Sequence, residues 1–125
     1  EFLTRETNVA SYENIGRANI IINIDSTLGY EALAQGEKVA FFSIRGYLLN
    51  EPSYNFAWPR DKEKDKYFST NMPSHQEYDR ILNNLFNISD LDWTNIVNEC
   101  NERIMEYDPR NTKFLGLMKK FTNLK

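Results

Sequence analysis

Residues 19–44 constrain this chain more than any other stretch. Asn19-Ile20-Ile21-Ile22-Asn23-Ile24 is a short apolar run rich in β-branched residues, and Val39-Ala40-Phe41-Phe42-Ser43-Ile44 repeats that character. Runs of this kind suit strands covered on both faces, as in a parallel sheet. Tyr30–Gln35 between them reads as a short helix, and Gly36 is placed to close it. Strand, helix, strand in this space is a βαβ unit. Upstream, Phe2–Thr4 reads as another strand and Val9–Ala18 as a helix. The order β-α-β-α-β predicts an α/β fold, a Rossmann-like parallel sheet of three or more strands with right-handed crossovers.

The character changes after Ile44. Gly46–Asn71 holds Pro52, Pro59 and the mixed-sign run Arg60-Asp61-Lys62-Glu63-Lys64-Asp65-Lys66, which reads as a long solvated loop. The last third is helical in pattern. Tyr78, Ile81, Leu82, Leu85 and Phe86 share one helical spacing, and Trp93, Ile96, Val97, Cys100 and Ile104 share a second. Ser89 is placed to cap the second of these helices, with Asp92 in its first turn. Asp108-Pro109 reads as the start of a third, striped by Phe114, Leu117, Met118 and Phe121.

With 125 residues the chain is one domain, 1–125. Its net charge of -3 argues against a general nucleic-acid binder, since such proteins are usually basic. Small anions are still compatible, because a local site can be positive on an acidic surface. The single cysteine, Cys100, allows no intrachain disulfide, and the single histidine, His75, allows no multi-histidine metal site. No metal and no cofactor are expected. No stretch is long enough to span a membrane and no signal peptide is visible. The expected location is therefore the cytoplasm, with peripheral association at the inner face of the membrane left open. The opening Glu1-Phe2-Leu3-Thr4 lacks an initiator Met and reads like the middle of a strand, as at a fragment boundary.

Chemistry concentrates in Asp25-Ser26-Thr27-Leu28-Gly29-Tyr30-Glu31, between a buried strand and a helix. Ligands of open α/β sheets gather outside the carboxyl ends of the strands. A helix starting there offers unpaired N–H groups and partial positive charge, which favour phosphate oxygens. Ser26 and Thr27 add hydroxyls, Gly29 permits close approach to the backbone, and Glu31 is placed to accept from ribose hydroxyls. The plainer reading is also open: Ser26 as an ordinary helix cap and Glu31 as a carboxylate favoured near a helix N-terminus.

The run Ile24-Asp25-Ser26-Thr27-Leu28-Gly29-Tyr30-Glu31-Ala32-Leu33-Ala34-Gln35-Gly36-Glu37-Lys38-Val39-Ala40-Phe41-Phe42 resembles the C-terminal nucleotide-sugar-binding domain of GT-B type glycosyltransferases. Within that class it is most similar to bacterial surface carbohydrate biosynthesis transferases. The likeness continues through Asn55-Phe56-Ala57-Trp58-Pro59, Tyr67-Phe68-Ser69-Thr70-Asn71, Trp93 and Asp108–Asn111. It implies that Ser26, Thr27 and Gly29 form the phosphate-contacting turn and Glu31 the ribose-contacting acid of a nucleotide-sugar donor site. It also implies a larger two-domain parent enzyme, whose N-terminal acceptor domain this chain has no room for. The fragment alone is then expected to bind donor weakly and not to turn over, with the catalytic base unassigned. Lys66-Tyr67-Phe68-Ser69 departs from the family pattern, where a Gly-Phe-Trp-like segment is expected.

Arg45 follows a strand end, where a guanidinium can grip phosphate bidentately; a plain surface arginine is the alternative. Ser69, Thr70 and Asn71 form a polar turn, read either as facing the cleft or as a helix-entry loop. Histidine is a common general base, but His75 has no acidic partner visible in sequence, and an exposed or capping histidine is the plainer reading. Cys100 falls on an apolar helix face, as a buried inert thiol would. Trp58 and Trp93 read as core or cleft-wall aromatics. Two further functions stand beside the transferase: a nucleotide-sugar epimerase of the same architecture, which needs no acceptor, and a non-catalytic nucleotide-binding or interaction module.

Overall fold

A computed structural model describes residues 10–59 and 62–122. Among the described residues the sheet has three strands, β1 (Ile21–Asn23), β2 (Val39–Phe42) and β3 (Ser69–Thr70), in the order β1-β2-β3 and parallel throughout. Ile22 faces Ala40 across the first pair, and Phe41 faces Ser69 across the second. The α/β class is therefore as expected from the two apolar runs. The expected strand Phe2–Thr4 lies outside the described residues. The third strand comes from the other direction: β3 was read only as a polar turn. Its two residues, Ser69 and Thr70, are too short and too polar to announce a strand.

The helices are α1 (Ala10–Ile15), α2 (Thr27–Ala34), α3 (Arg45–Leu49), α4 (His75–Asn87), α5 (Asp90–Asn101) and α6 (Thr112–Thr122). Helix α2 begins three residues earlier than the apolar pattern alone suggests, because Ser26 caps it through its side chain. Gly36 ends it at φ +95, with the Gly36 amide on the Leu33 carbonyl and the Glu37 amide on the Ala32 carbonyl. That pair of bonds is a Schellman closure, which a residue with a Cβ enters only under strain. Ser74 and Ser89 cap α4 and α5 by accepting from the Glu77 and Asp92 amides. At α6 the expectation shifts. Asp108 does not begin the helix; it accepts from the Lys113 amide and the Thr112 hydroxyl while Pro109 and Arg110 turn before it.

The core lies where α2, α4 and α5 cover the sheet. Phe41 is fully buried, with its ring 4.9 Å from Tyr30, 4.6 Å from Phe56 and 6.1 Å from Phe68. Phe68 carries the cluster on to Trp93, whose indole N–H donates to the Gly36 carbonyl at 2.8 Å. Cys100 is buried in the same cluster, and burial pushes its thiol up to about 12. It therefore stays protonated near neutral pH and is a packing residue.

The segment read as a solvated charged loop is only partly so. Glu63–Tyr67 forms a turn of 3-10 helix whose Lys64 and Lys66 reach Glu99 and Glu63 at the surface. Asp65 instead points inward, where it meets Arg103 at 2.5 Å and accepts from the Lys62 amide at 2.8 Å. Mixed charge in a short run does not reveal which member will be buried, because its partner lies 38 residues away.

Candidate functional site

Because the strands are parallel, the segments leaving β1, β2 and β3 emerge at one edge of the sheet. They carry Asp25-Ser26-Thr27, Ser43-Ile44-Arg45 and Asn71-Met72 respectively. This edge, at the carboxyl ends of the strands, is where an open α/β sheet receives a ligand.

Ser26 and Thr27 are exposed at the start of α2. The Ser26 Oγ accepts from the Leu28 amide at 3.3 Å, and the Ser26 amide donates to the Asn23 Oδ1 at 3.2 Å. Both bonds lie at or beyond the long end of the normal range, so an incoming oxyanion can compete with them. The Gly29 amide is bonded within the turn, to the Ser26 carbonyl.

Gly29 has a structural reason of its own. A Cβ at this position would lie 2.3 Å from the Asn23 Cγ and 2.7 Å from the Asn23 Cβ. Asn23 is buried at the end of β1 and its short side chain has little room to yield. The missing side chain at Gly29 lets α2 settle onto β1 whether or not a ligand approaches. Gly29→Ala is therefore expected to cost about 1–2 kcal/mol, the overpacking penalty less the gain in helix propensity. Urea unfolding checks this, and Asn23→Ala in the same chain should recover part of the loss by removing the Asn23 Cγ and Nδ2 contacts. Unchanged stability in Gly29→Ala would count against the close packing.

Glu31 lies one turn further along α2, and its Oε2 accepts from the Tyr12 hydroxyl of α1 at 2.9 Å. The hydrogen bond to Glu31 and its negative charge hold the Tyr12 phenol above its ordinary range. Sequence reasoning did not foresee this partner, because nothing local connects positions 19 residues apart. Arg45 is the first residue of α3, exposed, with its guanidinium 4.6 Å above the Tyr54 ring. The structure thus groups Ser26, Thr27, Gly29 and Glu31 on the first turns of α2 and sets Arg45 at the same sheet edge. Among the described residues, no hydrogen bond or ion pair joins Arg45 to the α2 group.

Other expectations resolve in different ways. Ser69 and Thr70 are buried in β3, where the Ser69 hydroxyl donates to the Asp65 carbonyl. Asn71 accepts from the Phe56 amide at 2.9 Å and so ties the loop after α3 to the end of β3. His75 opens α4 with its ring beside Tyr78. Trp93 is core, whereas Trp58 is 54% exposed. Trp58 lines a cavity of about 540 Å³ with Tyr30, Ser53, Asn55, Arg103 and Ile104. Its aromatic walls and convergent polar groups have the make-up of a small-molecule site. In sequence these residues are scattered from 30 to 104, and only the packing of α2, the loop after α3 and the end of α5 joins them.

Fold and edge together define an α/β protein with a parallel sheet and an open helix N-terminus at its carboxyl side. The chain belongs to the family described as "putative O-antigen biosynthesis protein", which matches residues 1–122. No curated protein and no solved structure matches it. The family places the chain in the context of bacterial surface carbohydrate biosynthesis, the setting in which its nearest resemblance lay. No helix among the described residues is long and apolar enough to cross a membrane.

Proposed function

We propose that this chain is the nucleotide-sugar-binding part of a glycosyltransferase acting in O-antigen biosynthesis, and that the acceptor side is supplied by a further domain of the parent protein. The observation that carries the reading is the exposed Ser26-Thr27 turn opening α2 at the carboxyl end of β1, in a chain of this family. In this reading the donor's phosphates lie against the first amides of α2, where the helix dipole and the two hydroxyls favour negative charge. Glu31, already used as an acceptor by Tyr12, takes the ribose hydroxyls. Arg45 adds a cation to the same edge. As the glycosidic bond to the leaving phosphate breaks, charge builds on the nucleotide, and the helix end is the group that stabilises it.

The test is a titration with UDP, GDP, dTDP and CMP, read by amide NMR shifts. Shifts concentrated at 26–31 are expected, with Glu31→Ala weakening the best nucleotide on the order of 10-fold through loss of charge-assisted hydrogen bonds. Shifts confined to Tyr30, Asn55, Trp58 and Arg103 would move the site to the neighbouring cavity. No response to any nucleotide would overturn the reading.

A further inference from the structure

Helix α6 is amphipathic, and none of its residues is buried. Phe114, Leu117, Met118 and Phe121 follow the spacing i, i+3, i+4, i+7, which aligns them on one face. All four are exposed, Phe121 at 70%. Lys113 and Lys120, seven residues apart, border that face on one side, Leu115 and Thr122 border it on the other, and Lys119 lies on the opposite, polar side of the helix. Lys113 pairs with Glu106 just before the helix.

Charge is strongly segregated here. From Pro109 to Lys125 the sequence has five basic residues and no acidic one. The other 108 residues hold ten basic and eighteen acidic side chains, so a cationic tail is joined to an anionic body. Two antiparallel copies of α6 packed through this face would set lysines against lysines, which argues against that pairing of like helices. An apolar stripe flanked by Lys113 and Lys120, on a helix whose charged residues are all lysines, matches a different surface. Phenylalanine, leucine and methionine enter the boundary between headgroups and acyl chains, while lysine stems run along it and their ammonium groups reach the lipid phosphates. At 1.5 Å per residue an 11-residue helix is about 16 Å long, too short for a bilayer core of about 30 Å. It can lie in the interface but cannot cross it.

We propose that α6 is an in-plane membrane anchor selective for anionic lipid, which holds the α/β body at a bilayer surface. The proposal does not depend on the donor-site reading, because it rests on the exposed face and charge of α6 and on no residue of the Ser26–Glu31 turn.

The experiment is co-sedimentation of the chain with vesicles of phosphatidylcholine alone and of phosphatidylcholine and phosphatidylglycerol in equal parts. Binding to the mixed vesicles, weakened by salt and much stronger than to phosphatidylcholine, is the expected result. Lys119→Glu/Lys120→Glu should weaken it by on the order of 10-fold or more. Phe121→Ser, which removes apolar area and keeps every charge, should weaken it by roughly 10-fold. These side chains are exposed, so circular dichroism and the thermal midpoint of the body should not change in either variant. Three results would overturn the proposal. One is no sedimentation with phosphatidylglycerol vesicles. Another is equal, salt-independent binding to both vesicle types. The third is light scattering that shows a dimer, abolished by Phe121→Ser, in a chain that ignores vesicles.

Discussion

Phe41→Ala is expected to lower the unfolding free energy by about 3–5 kcal/mol, the usual cost of deleting a fully buried aromatic side chain. Phe41 sits at the centre of β2, the middle strand, and its ring meets three other aromatic rings from three separate parts of the chain. Tyr30 arrives on α2, Phe56 on the loop after α3, and Phe68 just before β3. Truncation leaves a cavity that all three line, and stacking of Tyr30 on Phe56 at 5.7 Å keeps them from collapsing into it. Domains of this size are stable by roughly 5–15 kcal/mol, so the loss takes much or most of the available margin. Guanidinium unfolding followed by tryptophan fluorescence measures it, since Trp93 touches Phe68 in the same cluster. Phe41→Leu keeps most of the volume and should cost much less. Equal losses in the two variants would mean that the cluster does not depend on ring packing.

The second large effect is expected at the buried ion pair. Arg103→Leu should destabilise the fold by about 3–5 kcal/mol, because it strands a carboxylate that the fold has removed from water. The Asp65 side chain is 5% exposed and that of Arg103 15%, so neither is screened as a surface pair is. The pair ties the turn before β3 to the segment that follows α5, and among the described residues no backbone hydrogen bond joins the two. Coulomb attraction at such a site offsets the cost of desolvation only while both partners are present. Asp65→Leu/Arg103→Leu should therefore lose less than Arg103→Leu alone. The double variant still leaves the Lys62 amide without its Asp65 acceptor, so full recovery is not expected. The four chains form a double-mutant cycle, and a coupling near zero would refute the account. By contrast Lys66–Glu63, exposed on both sides, should contribute little when broken.

How much of this was readable in the sequence varies by element. The two apolar runs announced β1 and β2, but only β2 is covered as such a run suggests: in β1 Ile22 is 58% exposed, so that strand is open on one face. Gly36 announced the end of α2, because a positive φ leaves a direct mark on composition. Ser89 was legible as a cap from Asp92 three places on, whereas the cap at Ser74 emerges only in the structure. The third strand was not legible: two residues, Ser69 and Thr70, earn their place from register with Phe41 and Phe42, not from any pattern of their own. The candidate site was half legible. Ser26, Thr27, Gly29 and Glu31 stand together in any helix begun at that point. The Tyr12 hydroxyl on Glu31, the Asn23 side chain under Gly29 and the Tyr54 ring under Arg45 come from other segments. So does the cavity lined by Tyr30, Trp58 and Arg103.

The stripe on α6 shows the limit from the other side. Phe114, Leu117, Met118 and Phe121 have the spacing of a core-facing helix, and the sequence cannot distinguish a face that meets the body from one that meets something else. Phe86 shares this ambiguity on α4, where Ile81 and Leu85 are buried and Phe86 is 68% exposed. Local sequence settled β1, β2, α2, α4 and α5 and where several of them stop, because propensity, capping and apolar period act over a few residues; α3 and β3, inside the segment read as a loop, it did not settle. Tertiary structure alone decided which charge is buried, why Gly29 has no side chain, and which apolar face is left open. The buried charge depends on a partner 38 residues away, Gly29 on how α2 settles against β1, and the open face of α6 on which neighbours the fold brings to it.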